Sequence, residues 1–92
     1  MISEILGTGR ENATTGAALA AFYGISIRDV TKEIENERLA GVPICATMGT
    51  PAGYFLPATI EDLRVYCKSL ERRRDAIERV LQACQRESLL DE

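Results

Sequence analysis

The 92-residue sequence predicts a mainly α fold that carries one β-hairpin and ends in a long helix. Three observations predict it. Apolar residues recur at helical spacing on both sides of Gly24. The stretch GVPICATMGTPAGYFLP, Gly41 to Pro57, sets two short apolar runs around a tip of Gly, Thr, Pro and Ala. From Ile60 to about Ser88 there is neither Gly nor Pro, which leaves a helix of roughly 40 Å at about 1.5 Å per residue.

In chain order, Ser3 to Leu6 form a short first helix with Ile2, Ile5 and Leu6 on its apolar face. The polar stretch GTGRENATTG is a loop, closed by an N-cap between Asn12 and Thr15. A second helix spans Thr15 to Tyr23, with Leu19, Phe22 and Tyr23 as its large apolar positions, and Gly24 supplies the turn. Ser26 caps a third helix, with Asp29 completing a loose capping box. Ile27, Val30 and Ile34 face inward, and Gly41 stops the helix. The hairpin follows, Val42 to Cys45 against Tyr54 to Leu56. Thr59 with Asp62 caps the last helix. Residues 1–58 read as the folded domain and 59–92 as a dimerisation helix.

Composition narrows the function. Apolar residues at 46% and charged residues at 27% place the chain among globular domains. No run is long enough to span a bilayer, and MISEILGTG has neither the basic nor the hydrophobic region of a signal peptide, so the expected location is cytoplasmic. There is no histidine and no CxxC. The three cysteines therefore read as reduced, with Cys45 and Cys67 as core fillers, and neither a metal nor a cofactor is expected. Without histidine the commonest general base is missing, and an enzyme is not expected. The net charge of −3 argues against nucleic-acid binding by bulk charge but leaves room for a local basic face.

Two helices joined by a short Gly-containing turn, then a hairpin, make the winged helix-turn-helix order: a three-helix core, a two-stranded wing and here a long C-terminal helix. The stretch ALAAFYGISIRDVTKEIENERLAGVPI resembles the winged-helix domains of bacterial transcriptional regulators. The continuation GVPI…GYFLP is similar to the wing of the N-terminal domain of the bifunctional biotin ligase–repressors, and the likeness covers Thr14 to Pro57. The ligase domain of that family has no counterpart here, and nothing about biotin carries over. With its TGREN loop and Arg-rich last helix, the whole chain also resembles small winged-helix proteins of bacterial prophages.

The resemblance implies that the third helix enters the major groove of double-stranded DNA. Ser26, Arg28, Lys32 and Asn36 are then the candidate base-facing residues. Thr14 and Thr15 at the start of the second helix would meet a phosphate, as would Arg10 and Asn12 in the loop and Thr50 at the wing tip. The third helix is acidic in balance, with Asp29, Glu33, Glu35 and Glu37 against Arg28, Lys32 and Arg38. The wing has no Lys or Arg, so structural cover by Tyr54 and Leu56 is favoured over a DNA grip. Arg64, Lys68, Arg72, Arg73 and Arg74 form the largest basic cluster. They read first as a solvated face, with Arg74 paired to Glu71 and Glu78, and second as a phosphate-contacting flank or a dock for an acidic partner.

Leu63, Leu70, Ile77 and Cys84 recur every seven residues along the last helix. Packing back on the domain or pairing in a dimer would bury that stripe, and for Leu70, Ile77, Val80, Leu81 and Cys84 a homodimer is the favoured reading. The expected function is sequence-specific DNA binding by a dimeric transcriptional regulator or phage DNA-binding protein. The alternative is a protein-interaction adaptor that reuses the winged fold without DNA.

Overall fold

A computed structural model describes residues 1–47 and 52–86. Two 3-10 turns, Ile2–Glu4 and Arg10–Asn12, lead into strand β1 (Thr14–Thr15), and helices α1 (Gly16–Tyr23) and α2 (Ile27–Leu39) follow directly. Strands β2 (Cys45–Ala46) and β3 (Gly53–Phe55) precede the 26-residue helix α3 (Ile60–Gln85). The strands form one antiparallel sheet in the order β1-β3-β2, with Thr14 opposite Tyr54 and Cys45 opposite Phe55. The sheet thus has three strands where the sequence predicts two. A two-residue strand shows no alternation, so Thr14–Thr15 becomes recognisable only through its pairing with β3.

The local signals act as their chemistry dictates. Thr15 Oγ1 accepts the Ala18 N–H at 3.1 Å, Ser26 Oγ the Asp29 N–H at 3.0 Å and Thr59 Oγ1 the Asp62 N–H at 3.2 Å. Asp62 returns a bond by accepting the Ala58 N–H at 2.9 Å. Gly24 closes α1 at φ +66°, a left-handed conformation in which a Cβ would be strained. Gly53 is buried where a Cβ would stand 3.0 Å from that of Ala13, so a larger residue would push β3 off the chain beside it. Thr47 closes the hairpin twice, donating its N–H to Gly53 O and accepting the Gly53 N–H on Oγ1, both at 2.8 Å.

The sheet separates two apolar clusters. Leu19, Ala20, Val30, Ile34 and Ile44 pack with Ile2 and Leu6 of the N-terminal segment, and Tyr54 and Leu56 lean on them from β3 and its end. On the other side Cys45, Phe55 and Tyr66 pack with Leu63. Burial pushes the Cys45 thiol up, which keeps it an inert core group. The first turns of α3 therefore complete the core.

Several expected inward positions lie outside it. The first turn is 3-10 over Ile2–Glu4, and Ile5 is exposed. Phe22 and Ile27 are exposed as well, because α1 buries Leu19 and Ala20 and α2 buries Val30 and Ile34. Cys67 is exposed, since neighbouring positions on a helix point about 100° apart and Tyr66 takes the buried place.

The end of α2 ties the layers together. Glu37 is 2% exposed. Its carboxylate accepts the Ile2 N–H at 2.9 Å, the Ser3 N–H at 3.1 Å and the Ser3 hydroxyl at 2.6 Å. Arg38 turns the other way. Its Nε donates to Ile44 O at 2.9 Å, and its guanidinium lies 4.8 Å from the Tyr66 ring centre and 5.8 Å from that of Tyr54.

Burial pushes the Glu37 carboxyl up, but the hydrogen bonds from Ser3 and Ile2 outweigh it and leave the group below its ordinary value of 4.5. A carboxyl lowered on folding contributes stability above its unfolded pKa, and that contribution is lost as pH falls through the lower folded value. Stability should therefore decline below about pH 4.5, and Glu37→Gln should flatten that part of the profile in urea titrations across pH. At neutral pH Glu37→Ala should cost about 2–3 kcal/mol, since it leaves the buried Ile2 N–H unpaired. Arg38→Ala should cost about 2 kcal/mol through the lost carbonyl bond and ring contacts, read in the same titrations.

Candidate nucleic-acid interface

The outer face of α2 carries the densest set of sequence-derived candidates. Arg28, Lys32 and Asn36 are all exposed, each one helical turn after the last. Arg28 and Lys32 border a shallow surface hollow with Asp29, Thr31 and Glu35. Neither makes an ion pair among the described residues. Ser26 is engaged as the N-cap of α2, and the Thr31 hydroxyl donates to Ile27 O at 3.1 Å. Ile27, exposed in the first turn, adds an apolar group beside Arg28.

The candidates of the N-terminal loop form a second group. Arg10 is exposed in its 3-10 turn. Asn12 Nδ2 donates to Thr8 O at 2.8 Å and so braces the loop. The loop is fixed to the end of β3: Gly9 N–H donates to Leu56 O and Leu56 N–H to Gly7 O, both at 2.8 Å. Thr14 is half-buried in β1, and Thr15 caps α1. No hydrogen bond between described residues joins this group to Arg28 or Lys32. Thr50 lies outside the described residues.

Two charged residues counted with this face from sequence do not belong to it. Glu37 and Arg38 turn inward and are committed to the fold. The outer balance of α2 becomes Asp29, Glu33 and Glu35 against Arg28 and Lys32, still acidic by one charge. The signal for Glu37 was present in the spacing. Val30, Ile34 and Glu37 stand at i, i+4 and i+7, so a carboxylate occupies an inward position and requires buried donors.

On α3 the basic residues Arg64, Lys68, Arg72, Arg73 and Arg74 are exposed. Arg74 pairs with Asp75 at 3.5 Å, in place of the expected Glu71 and Glu78. Leu70, Ile77, Val80, Leu81 and Cys84 are exposed too, with Ile77 at 69%. From Leu70 to Arg86 no residue of the helix is covered. The long dimension of the chain, 51 Å against 31 and 27 Å, reflects this overhang. The radius of gyration is 16.3 Å, whereas a compact domain of this length has about 12 Å.

Among the described residues no helix is long and apolar enough to cross a membrane, and no group of three or more His, Cys, Asp or Glu is placed to hold a metal ion. No protein-family model matches the chain, and neither a curated protein nor a solved structure does.

The geometry of α2 depends on its cap. Ser26→Ala should lower stability by about 1 kcal/mol, read by thermal denaturation, and Ser26→Asp should recover most of it.

Proposed function

We propose that this chain binds double-stranded DNA with α2 as the reading helix and the β2–β3 hairpin as a wing, as a dimeric regulator of the kind found in prophages. One observation carries the reading. The chain runs β1, α1, turn, α2, β2, β3 into a sheet of order β1-β3-β2, while Arg28 and Lys32 on the outer face of α2 make no ion pair among the described residues. That path supports a winged helix-turn-helix, in which the second helix of the pair fits the major groove.

Arg28 is then the candidate for bidentate contact with guanine and Asn36 for adenine, and Ile27 offers an apolar surface to a thymine methyl. Lys32 meets a phosphate or a base edge one turn on. Thr15 and Arg10 serve as backbone contacts at the start of α1 and in the loop before it. With so few cations on the face, affinity comes from a small number of well-placed contacts and from two copies acting together.

A second reading is an adaptor that binds a protein through the same fold. It draws on the absence of Lys and Arg between Val42 and Pro57 and on the exposed Phe22 in the last turn of α1 and Ile25 in the turn that follows.

Selection from fragmented genomic DNA at low and moderate salt separates the two. A few enriched sites with inverted repeats about one helical turn apart are expected. Arg28→Ala should weaken the selected site about tenfold or more and relax preference at one position, while Lys32→Ala should reduce the salt dependence. No retained DNA at either salt would favour the adaptor.

A further inference from the structure

We infer that α3 pairs with α3 of a second copy of this chain, antiparallel, in the register that sets Cys67 against the partner's Cys84. The inference rests on the reading of α3 as a dimerisation element and adds its direction and register.

The exposed stripe of α3 consists of Cys67, Leu70, Arg74, Ile77, Leu81 and Cys84. These positions alternate in steps of three and four, the spacing of a coiled-coil seam. Read from either end, the seam gives a cysteine, then a leucine, then the central Arg74 and Ile77. Reversing one helix therefore lays the stripe on itself: Cys67 against the partner's Cys84, Leu70 against the partner's Leu81, and Arg74 against the partner's Ile77. A seam that matches its own reverse fits a two-fold interface, in which one patch meets its own copy.

The central pair decides the direction. A parallel pair would place two Arg74 side chains opposite one another, each next to Arg73, and like charges in a seam are destabilising. In the antiparallel pair each Arg74 lays its aliphatic stem on the partner's Ile77, with the partner's Glu78 one residue further on to receive its charge.

The fold supplies an independent reason. Cys67 and Leu70 form one wall of a groove of about 220 Å³ whose other wall is the Gly41–Ile44 segment of the same chain. A parallel pair would bring two globular domains to the same end of the helices, each beside its own groove. The antiparallel register instead delivers the partner's Leu81 and Cys84 to that groove, from a part of α3 that carries no domain. Ile77, Val80 and Leu81, at 69%, 64% and 53% exposure, would all be covered by the pairing.

The test uses the full chain and its own cysteines. Cys45 is buried, whereas Cys67 and Cys84 are exposed. Cys67→Ser, Cys84→Ser and an equimolar mixture of the two are treated with a short bismaleimide and read on a denaturing gel. The antiparallel register predicts little cross-linking of either variant alone, since like cysteines lie about 25 Å apart along the helix at about 1.5 Å per residue. It predicts strong cross-linking in the mixture. Cross-linking of each variant alone, with no gain in the mixture, would mean a parallel pair and overturn the inference.

Light scattering of the reduced chain should give twice the 10.1 kDa chain mass. A monomer would overturn both the register and the dimeric part of the proposed function. Ile77→Glu, at a position outside the core, should weaken dimerisation at least tenfold while leaving the thermal transition of the domain in place. An unchanged dimer in that variant would also overturn the inference. DNA binding by Arg28 and Lys32 is measured separately, so failure of the pairing and failure of DNA recognition remain distinct.

Discussion

Two adjacent residues at the end of α2 hold the layers of this protein in place. Glu37 and Arg38 are neighbours in sequence, so the helix points them to different sides. The Glu37 carboxylate takes three hydrogen bonds from Ile2 and Ser3 and draws the N-terminal turn against the first apolar cluster. The Arg38 guanidinium holds Ile44 O ahead of β2 and lies over Tyr66 of α3. Ile2 and Leu6 can seal one side of the sheet, and Tyr66 the other, because one helix end fixes both. The core is small and has few aromatics, so these directional contacts set positions that apolar burial alone would leave loose.

The same arrangement shapes the candidate interface. Spending one acid and one base of α2 on the interior leaves Arg28 and Lys32 as the only cations on its outer face. A face this poor in cations depends on placement rather than on field strength. Placement comes from the Ser26 cap, the Gly24 turn and the sheet edge to which the Gly7–Gly9 loop is bound. The hairpin joins this frame through Thr47, and its strands bury Cys45 and Phe55. Its uncharged composition fits a structural part that closes the core.

Helix α3 serves two environments with one amphipathic pattern. Its first turns give Leu63 and Tyr66 to the domain, and the described residues from Glu71 to Arg86 are all exposed. Apolar side chains recurring on a free helix gain most by meeting others of their kind, so the overhang is the part of the molecule whose energetics point outward.

Local chemistry by itself determined the helices, their caps and their stops. Thr15, Ser26 and Thr59 cap wherever a helix starts, and Gly24 turns left-handed wherever α1 must end, because these interactions span only a few residues. The exposed positions of Arg28, Lys32 and Asn36 were legible for the same reason, since helical periodicity fixes a face once Val30 and Ile34 are taken as inward. The tertiary structure alone decided the rest. Thr14 became a strand when β3 arrived beside it, Ile27 and Phe22 were left in solvent because the core was filled without them, and Cys67 gave its place to Tyr66. The inward turn of Glu37 and Arg38 belongs to this second class. Spacing marks Glu37 as an inward position, but burial of the two is favourable only when the N–H groups of Ile2 and Ser3 and the ring of Tyr66 are in place, and no local pattern names those partners.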